Sequence, residues 1–200
     1  SKDGHQPFEK VDGYVITFNG EIYNYVELRD ELKKSGFEFL TKTDTEVIVQ
    51  AYKKWGADCV SHFNGMWAFV IYDKKKNVLF CSRDRFGVKP FYYTEQEGFF
   101  LVASEIKQFM KVLNCPQHPN CEALLRYIIR GDTEAPPQTM IDEIYQLEPG
   151  FNLIFNLRDN SFNKKCYYSI GSKNDNLMSY SDACALFKKD LEKSVRLRLR

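Results

Sequence analysis

The chain has 200 residues, with 28 Lys and Arg against 27 Asp and Glu, a formal net charge of +1. That balance excludes the strong basic excess of a nucleic-acid-binding domain. A hydrophobic content of 44% with 28% charged residues excludes wholesale disorder. A chain of this length buries roughly 70% of its unfolded surface, so it needs no disulfide or metal staple. No apolar run approaches the roughly 20 residues of a membrane-spanning helix, and residues 1–5 lack a signal peptide's apolar core. The six cysteines therefore read as reduced thiols of a cytosol, and Cys81, inside an apolar run, as a small core hydrophobe.

Residues 14–18 are rich in β-formers and predict a strand ending at the turn pair Asn19-Gly20. Tyr25, Leu28 and Leu32 have helical spacing, closed by Gly36. Thr43-Asp44-Thr45-Glu46 has the form of a capping box. It opens a helix whose apolar face is Val47, Ile48, Ala51, Tyr52 and Trp55, stopped by Gly56. Residues 66–72 and 78–81 flank the polar turn 73–77 and predict an antiparallel hairpin covered on both faces. Residues 91–93 and 99–102 read as further strands. Ile106, Phe109, Met110 and Leu113 form a helical stripe capped by Ser104, and Leu124, Leu125, Ile128 and Ile129 another, capped by Asn120 and ended by Gly131. Glu148-Pro149-Gly150 turns into a strand over 151–157. Residues 171–176 suit a linker. Ser181 then caps a last helix carrying Leu186, Phe187, Leu191 and Val195. Hairpins with helices around them predict an α+β sandwich, since a doubly wound parallel sheet would need regular β–α alternation.

Few residues suggest chemistry. A side-chain amide followed by an unhindered backbone N–H, as in Asn19-Gly20, aims two donors at one point, which an acyl-transfer oxyanion requires. Glycine also lets a substrate approach the backbone. Asp44, at a helix start, either complements the helix dipole or holds a substrate ammonium. Cys115, His118 and Cys121 are spaced like metal ligands but lack a fourth partner nearby. Ser1, a hydroxyl beside a free α-amine, is the minimal N-terminal nucleophile, though a polar, turn-like start is unlike a buried strand. No G-x-S-x-G elbow, G-x-G-x-x-G loop or Walker A loop is present.

Taken in order, the fragments resemble one family. The string from Phe18-Asn19-Gly20-Glu21 to Tyr25 is similar to the FNGEIYNY segment of glutamine-hydrolysing asparagine synthases. Thr43-Asp44-Thr45-Glu46-Val47-Ile48, Phe63-Asn64-Gly65-Met66-Trp67-Ala68-Phe69 and Arg83-Asp84-Arg85-Phe86-Gly87-Val88-Lys89-Pro90 resemble that family's later motifs. So do Ala103-Ser104-Glu105-Ile106-Lys107 and Leu147-Glu148-Pro149-Gly150. The resemblance implies a class II glutamine amidotransferase domain with an N-terminal-nucleophile hydrolase fold. This is a four-layer αββα sandwich with antiparallel sheets, here expected to be incomplete. It implies a Cys nucleophile that attacks the glutamine amide with its own α-amine as base. Asn19 and Gly20 would form the oxyanion hole. Glu21 and Asp44 would bind glutamine, Asp44 through its ammonium.

The resemblance divides the chain into an amidotransferase domain at 1–165, a linker at 166–180 and the first helix of an ATP-dependent synthetase domain at 181–200. ATP and Mg²⁺ would act in that second domain, with no cofactor in this chain. The expected partners are glutamine and the synthetase domain, a homodimer is allowed, and nucleic acid and membrane are not expected. The family's Cys-Gly start and a carboxylate-binding Arg are not found, and roughly fifty residues are expected upstream. The chain by itself is therefore expected to be inactive. The rival reading is a non-hydrolytic scaffold or binding domain on the same fold, as in β-lactam synthetase-like proteins.

Overall fold

The structure, a computed structural model, describes residues 4–96, 98–113, 118–133, 135–171 and 178–199. In chain order the first elements are strand β1 (Tyr14–Ile22), helices α1 (Tyr25–Lys34) and α2 (Asp44–Trp55), and a 3-10 helix over Gly56–His62. Strands β2 (Gly65–Asp73), β3 (Val78–Arg83), β4 (Tyr92–Gln96) and β5 (Phe99–Ala103) follow. Helices α3 (Ile106–Phe109) and α4 (Cys121–Arg130), strands β6 (Tyr145–Gln146), β7 (Phe151–Asn156) and β8 (Phe162–Cys166), and helix α5 (Tyr180–Arg198) complete the order.

Two antiparallel sheets result, one of order β1-β2-β3-β7-β8 and one of order β5-β4-β6. Strand alternation sends successive side chains to opposite faces, and the hairpin β2–β3 shows the consequence. Trp67, Phe69, Ile71 and Phe80 join α1 and α2 in one core, with Leu28, Leu32, Val47, Ile48 and Ala51. Ala68 and Cys81 face the other way and meet Phe91, Tyr93, Leu147, Leu153 and Phe155 between the sheets. A third cluster, Phe109, Leu113 and Ile144, lies with Leu101 and Ile106 on the far side of the small sheet. Helix, sheet, sheet and helix therefore stack as the expected αββα layers, and the double-faced hairpin is where it was predicted. Each fully buried aliphatic or aromatic side chain contributes about 1.5–3 kcal/mol.

The start of α2 explains its sharp boundary. Thr43 caps it by accepting from Glu46 N–H at 3.3 Å. The capping box is only half made: the Glu46 carboxylate, fully buried, accepts from Leu40 N–H, Thr41 N–H and the Thr41 hydroxyl instead. It fastens the preceding loop rather than the Thr43 N–H, which goes to Thr41 Oγ1.

Several expectations are corrected. Asn19-Gly20 is no turn: β1 runs through it to Ile22, because Gly65-Met66-Trp67 pairs alongside and extends the ladder. The cap of α3 is Glu105, not Ser104, because the Gln108 side chain bonds the Ser104 and Glu105 N–H groups; the helix is a single turn. Ser179, not Ser181, caps α5, accepting from Asp182 N–H. Strands β6 and β8 escape sequence reading, the first for its length, the second because its Phe162-Asn163-Lys164-Lys165-Cys166 lacks an apolar run. The stripe of α4 forms as spaced, with Asn120 as cap, but Leu125, Ile128 and Ile129 are exposed. Ser1, Cys115 and most of the linker stretch lie outside the described residues.

Candidate active site

The outer edge of β1 is covered position by position. In an antiparallel ladder alternate residues turn their N–H and C=O toward one neighbour. Ile16 exchanges both bonds with the backbone of Phe8, at 2.8 and 2.9 Å. Phe18 exchanges both with the side-chain amide of Gln6: its N–H donates to Gln6 Oε1 at 2.6 Å and its carbonyl accepts from Gln6 Nε2 at 2.7 Å. Ile22 N–H donates to Asp44 Oδ2 at 3.1 Å. The same alternation turns Gly20 N–H outward, between the positions covered by Gln6 and by Asp44. Among the described residues it is the open donor of this edge.

Gly20 has no tolerance for a side chain. Its φ is +152°, and a Cβ there would stand 2.1 Å from Met66 O and 2.8 Å from Trp67 Cα. Across the ladder, Gly65 is equally confined, a Cβ meeting Glu21 O at 2.2 Å. The strands approach so closely here that only glycine fits at either position. Asp84 anchors the other side of β2: its Oδ2 accepts from Trp67 N–H at 3.3 Å and from Lys89 N–H at 2.9 Å, and its Oδ1 from Phe86 and Val88 N–H.

Asn19 and Glu21 lie one on either side of Gly20 and share the face opposite to it. Both are exposed. The Asn19 Nδ2 donates to Ser104 Oγ, at the end of β5, at 3.4 Å. The two strands β1 and β5 are each at an edge of their sheet, and between them lies a cavity of about 200 Å³. Gln6, Thr17, Asn19, Val102 and Ser104 are among its lining residues. The cavity opens at the mouth of the sandwich, with Asn19 in its lining and Gly20 next along β1.

Asp44 reaches the same edge from the helix layer. Its Oδ1 accepts from Thr45 N–H at 2.9 Å and its Oδ2 from Ile22 N–H. These use two of the about four acceptor positions of a carboxylate, leaving capacity for an ammonium. Burial holds its pKa above the ordinary value, against the pull of the Ile22, Thr45 and Asp44 N–H groups and of Arg29. Arg29 itself donates to the carbonyls of Thr41 and Thr43, which keeps the loop before α2 in place. Of the four candidates, Asn19, Gly20 and Asp44 are brought to one strand end by bonds and register. Glu21 is there by sequence only, with no side-chain hydrogen bond or ion pair among the described residues. Gln6 was missed by sequence reading. It sits in a polar stretch without periodicity, and only the return of the chain alongside β1 reveals it.

No described cysteine lines the cavity. Cys59 and Cys81 are wholly buried, which pushes both thiols up and away from reactivity. Among the described residues no group of three His, Cys, Asp or Glu converges as a metal site, and no helix is long and apolar enough to cross a membrane.

Comparison with known proteins bears on the family and the fold. Residues 1–168 match the family model described as a glutamine amidotransferase domain. The chain is 41% identical over 187 residues to a putative glutamine-hydrolyzing asparagine synthetase 2 of Methanocaldococcus jannaschii, covering 85% of this chain and 36% of that protein. It is 39% identical over 155 residues to the glutamine-hydrolyzing asparagine synthetase 3 of Bacillus subtilis, covering 76% of this chain and 25% of that one. The chain thus spans only about a third or a quarter of these relatives. Among solved structures, the glutamine phosphoribosylpyrophosphate amidotransferase of B. subtilis superposes with a TM-score of 0.56 at 19% identity, over 85% of this chain and 33% of that one. This likeness shows the fold, an α+β sandwich of antiparallel sheets with helices. In extent, in motif and in fold, the chain belongs to the class II glutamine amidotransferase domain family.

Proposed function

We propose that this chain is the glutaminase part of a longer asparagine synthetase, releasing ammonia from the side-chain amide of glutamine. One observation carries the reading: Gly20 N–H is an open donor on an otherwise covered strand edge, beside the Asn19 amide. A nucleophile from outside the described residues attacks the amide carbon. The negative charge on oxygen is met by Asn19 Nδ2 and Gly20 N–H, ammonia leaves, and water releases glutamate from the acyl intermediate. Asp44 takes the α-ammonium, and Glu21 assists from the neighbouring position. The ammonia then serves ATP- and Mg²⁺-dependent amidation of aspartate in a synthetase domain beyond the linker, with α5 leading into it. By this reading the reaction belongs to the cytosol.

The test is a glutaminase assay on the full-length protein. Asn19→Ala lowers kcat by about 10²–10³ as one oxyanion donor is lost, and Asp44→Ala chiefly raises KM. An Asn19→Ala enzyme with undiminished kcat sinks the proposal. The rival is a non-hydrolytic binding domain on the same fold. It requires glutamine binding without turnover in the full-length protein.

A further inference from the structure

We propose that Gln6 is a positioning residue of the glutaminase site: its side-chain amide stands in for a neighbouring strand at Phe18 and holds Asn19 and Gly20 in donor geometry. The inference rests on the glutaminase reading above and extends it to a residue outside the oxyanion pair.

A strand edge left open is free to twist, bend or recruit another chain. In β1 the segment carrying the donors begins one residue after Phe18. A primary amide has the same donor and acceptor pair as a peptide group, so one glutamine side chain satisfies both outward groups of one residue. Gln6 does this with bonds of 2.6 and 2.7 Å across a sequence separation of 12. The backbone cover two residues earlier, Phe8 on Ile16, sets where Gln6 arrives.

The link from Phe18 to the donors is short. The Phe18 ring packs directly against Gly20, since a Cβ built on Gly20 would be 2.9 Å from Phe18 Cε2. Asn19 lies between them, and its peptide groups continue the plane that Gln6 fixes. Gln6 also lines the cavity beside Asn19 and Ser104. Two side chains therefore bracket the open Gly20 N–H: Gln6 holds the residue two before it, and Asp44 the residue two after it. A backbone segment pinned at both sides presents its one free N–H in a fixed direction. Such preorganisation is what makes an oxyanion donor effective, and small misplacements are costly. In this role Gln6 acts on rate through Asn19 and Gly20.

The experiment is a double-mutant cycle in the full-length protein, measuring kcat and KM for glutamine with wild type, Gln6→Ala, Asn19→Ala and the pair. A positioning role predicts that Gln6→Ala loses about tenfold in kcat, less than deletion of a donor, while KM stays within about twofold because Asp44 is untouched. It also predicts that the loss from Gln6→Ala shrinks once Asn19 is Ala, leaving only the part that acts through Gly20. Gln6→Glu, which keeps the acceptor for Phe18 N–H and loses the donor to Phe18 O, falls between. This isosteric variant carries the test if Gln6→Ala does not fold. Unchanged kcat in folded Gln6 variants, or losses that multiply in the double mutant, overturn the assignment while leaving the glutaminase reading intact. A wild-type enzyme without glutaminase activity overturns that reading and this role together.

Discussion

Helices α2 and α4 are written in the same language and end in different surroundings. Each opens on a side-chain cap, Thr43 to Glu46 N–H and Asn120 to Ala123 N–H, and each stops at a glycine with positive φ, Gly56 and Gly131. Each carries an apolar stripe at helical spacing. Yet α2 buries eight successive residues, from Thr45 to Tyr52, whereas α4 buries Ala123 alone and leaves Ile128 77% exposed. The reason is position. α2 lies across the inner strands of the five-stranded sheet and shares their core, while α4 contributes to none of the three clusters. Most helical stability comes from the packing of the apolar face. The stripe reports that a face is apolar, and the sheet decides whether that face is covered.

That comparison is open to attack by mutation. The largest effect belongs to Ile48→Ala in α2, a loss of about 2–5 kcal/mol in chemical denaturation, as for other buried aliphatic truncations. Next come the caps. Thr43→Ala and Asn120→Ala each remove a capping bond worth about 1 kcal/mol, Thr43→Ala also the hydroxyl pairing with Thr41, but the readouts differ. Thr43→Ala lowers the global melting temperature. Asn120→Ala mainly speeds amide exchange in the first turn of α4, which opens locally before the core. Equal falls in melting temperature for the two would break the comparison.

Two smaller effects sharpen it. Burial raises the Asp44 pKa above its ordinary value of 3.8, so the folded protein binds this proton more tightly than the unfolded chain. Stability carried by the carboxyl is therefore lowest at neutral pH, rises as pH falls through the folded pKa, and levels off below the unfolded value. Against Asp44→Asn as a non-titrating reference, the wild type gains in melting temperature on acidification. A difference from Asp44→Asn that stays constant with pH, or that moves against the wild type on acidification, contradicts the burial. The smallest effect is Ile128→Ala, within about 0.5 kcal/mol at an exposed site. A cost like that of Ile48→Ala in the full-length protein would show that a further part of it covers α4.

The site was legible to unequal depths. Asn19, Gly20 and Asp44 stood out because an amide, a glycine and a helix-start carboxylate each have a chemical meaning in a short window. Their setting did not. Asn-Gly favours a turn in isolation, and its place inside β1 follows only from the close partner strand around Gly65. Ser104 carried the local signature of a cap, yet Gln108 takes its N–H group and Glu105 starts the helix. Gln6 carried no signature, since a polar residue before a strand has many equivalent uses until the chain returns beside it.

The sequence by itself determined the local units: strand alternation, helix stripes, the caps Thr43 and Asn120, and the glycines at the helix ends. These depend on contacts within a few residues, where side-chain type and spacing leave few alternatives. The tertiary structure decided which apolar faces met, what covers the outer edge of β1 and which backbone N–H on it is left open among the described residues. Those outcomes depend on partners far apart in the chain, as with Gln6 on Phe18 and Asp44 on Ile22. Their pairing is fixed only when the whole sheet edge is assembled and every other donor along it has been satisfied.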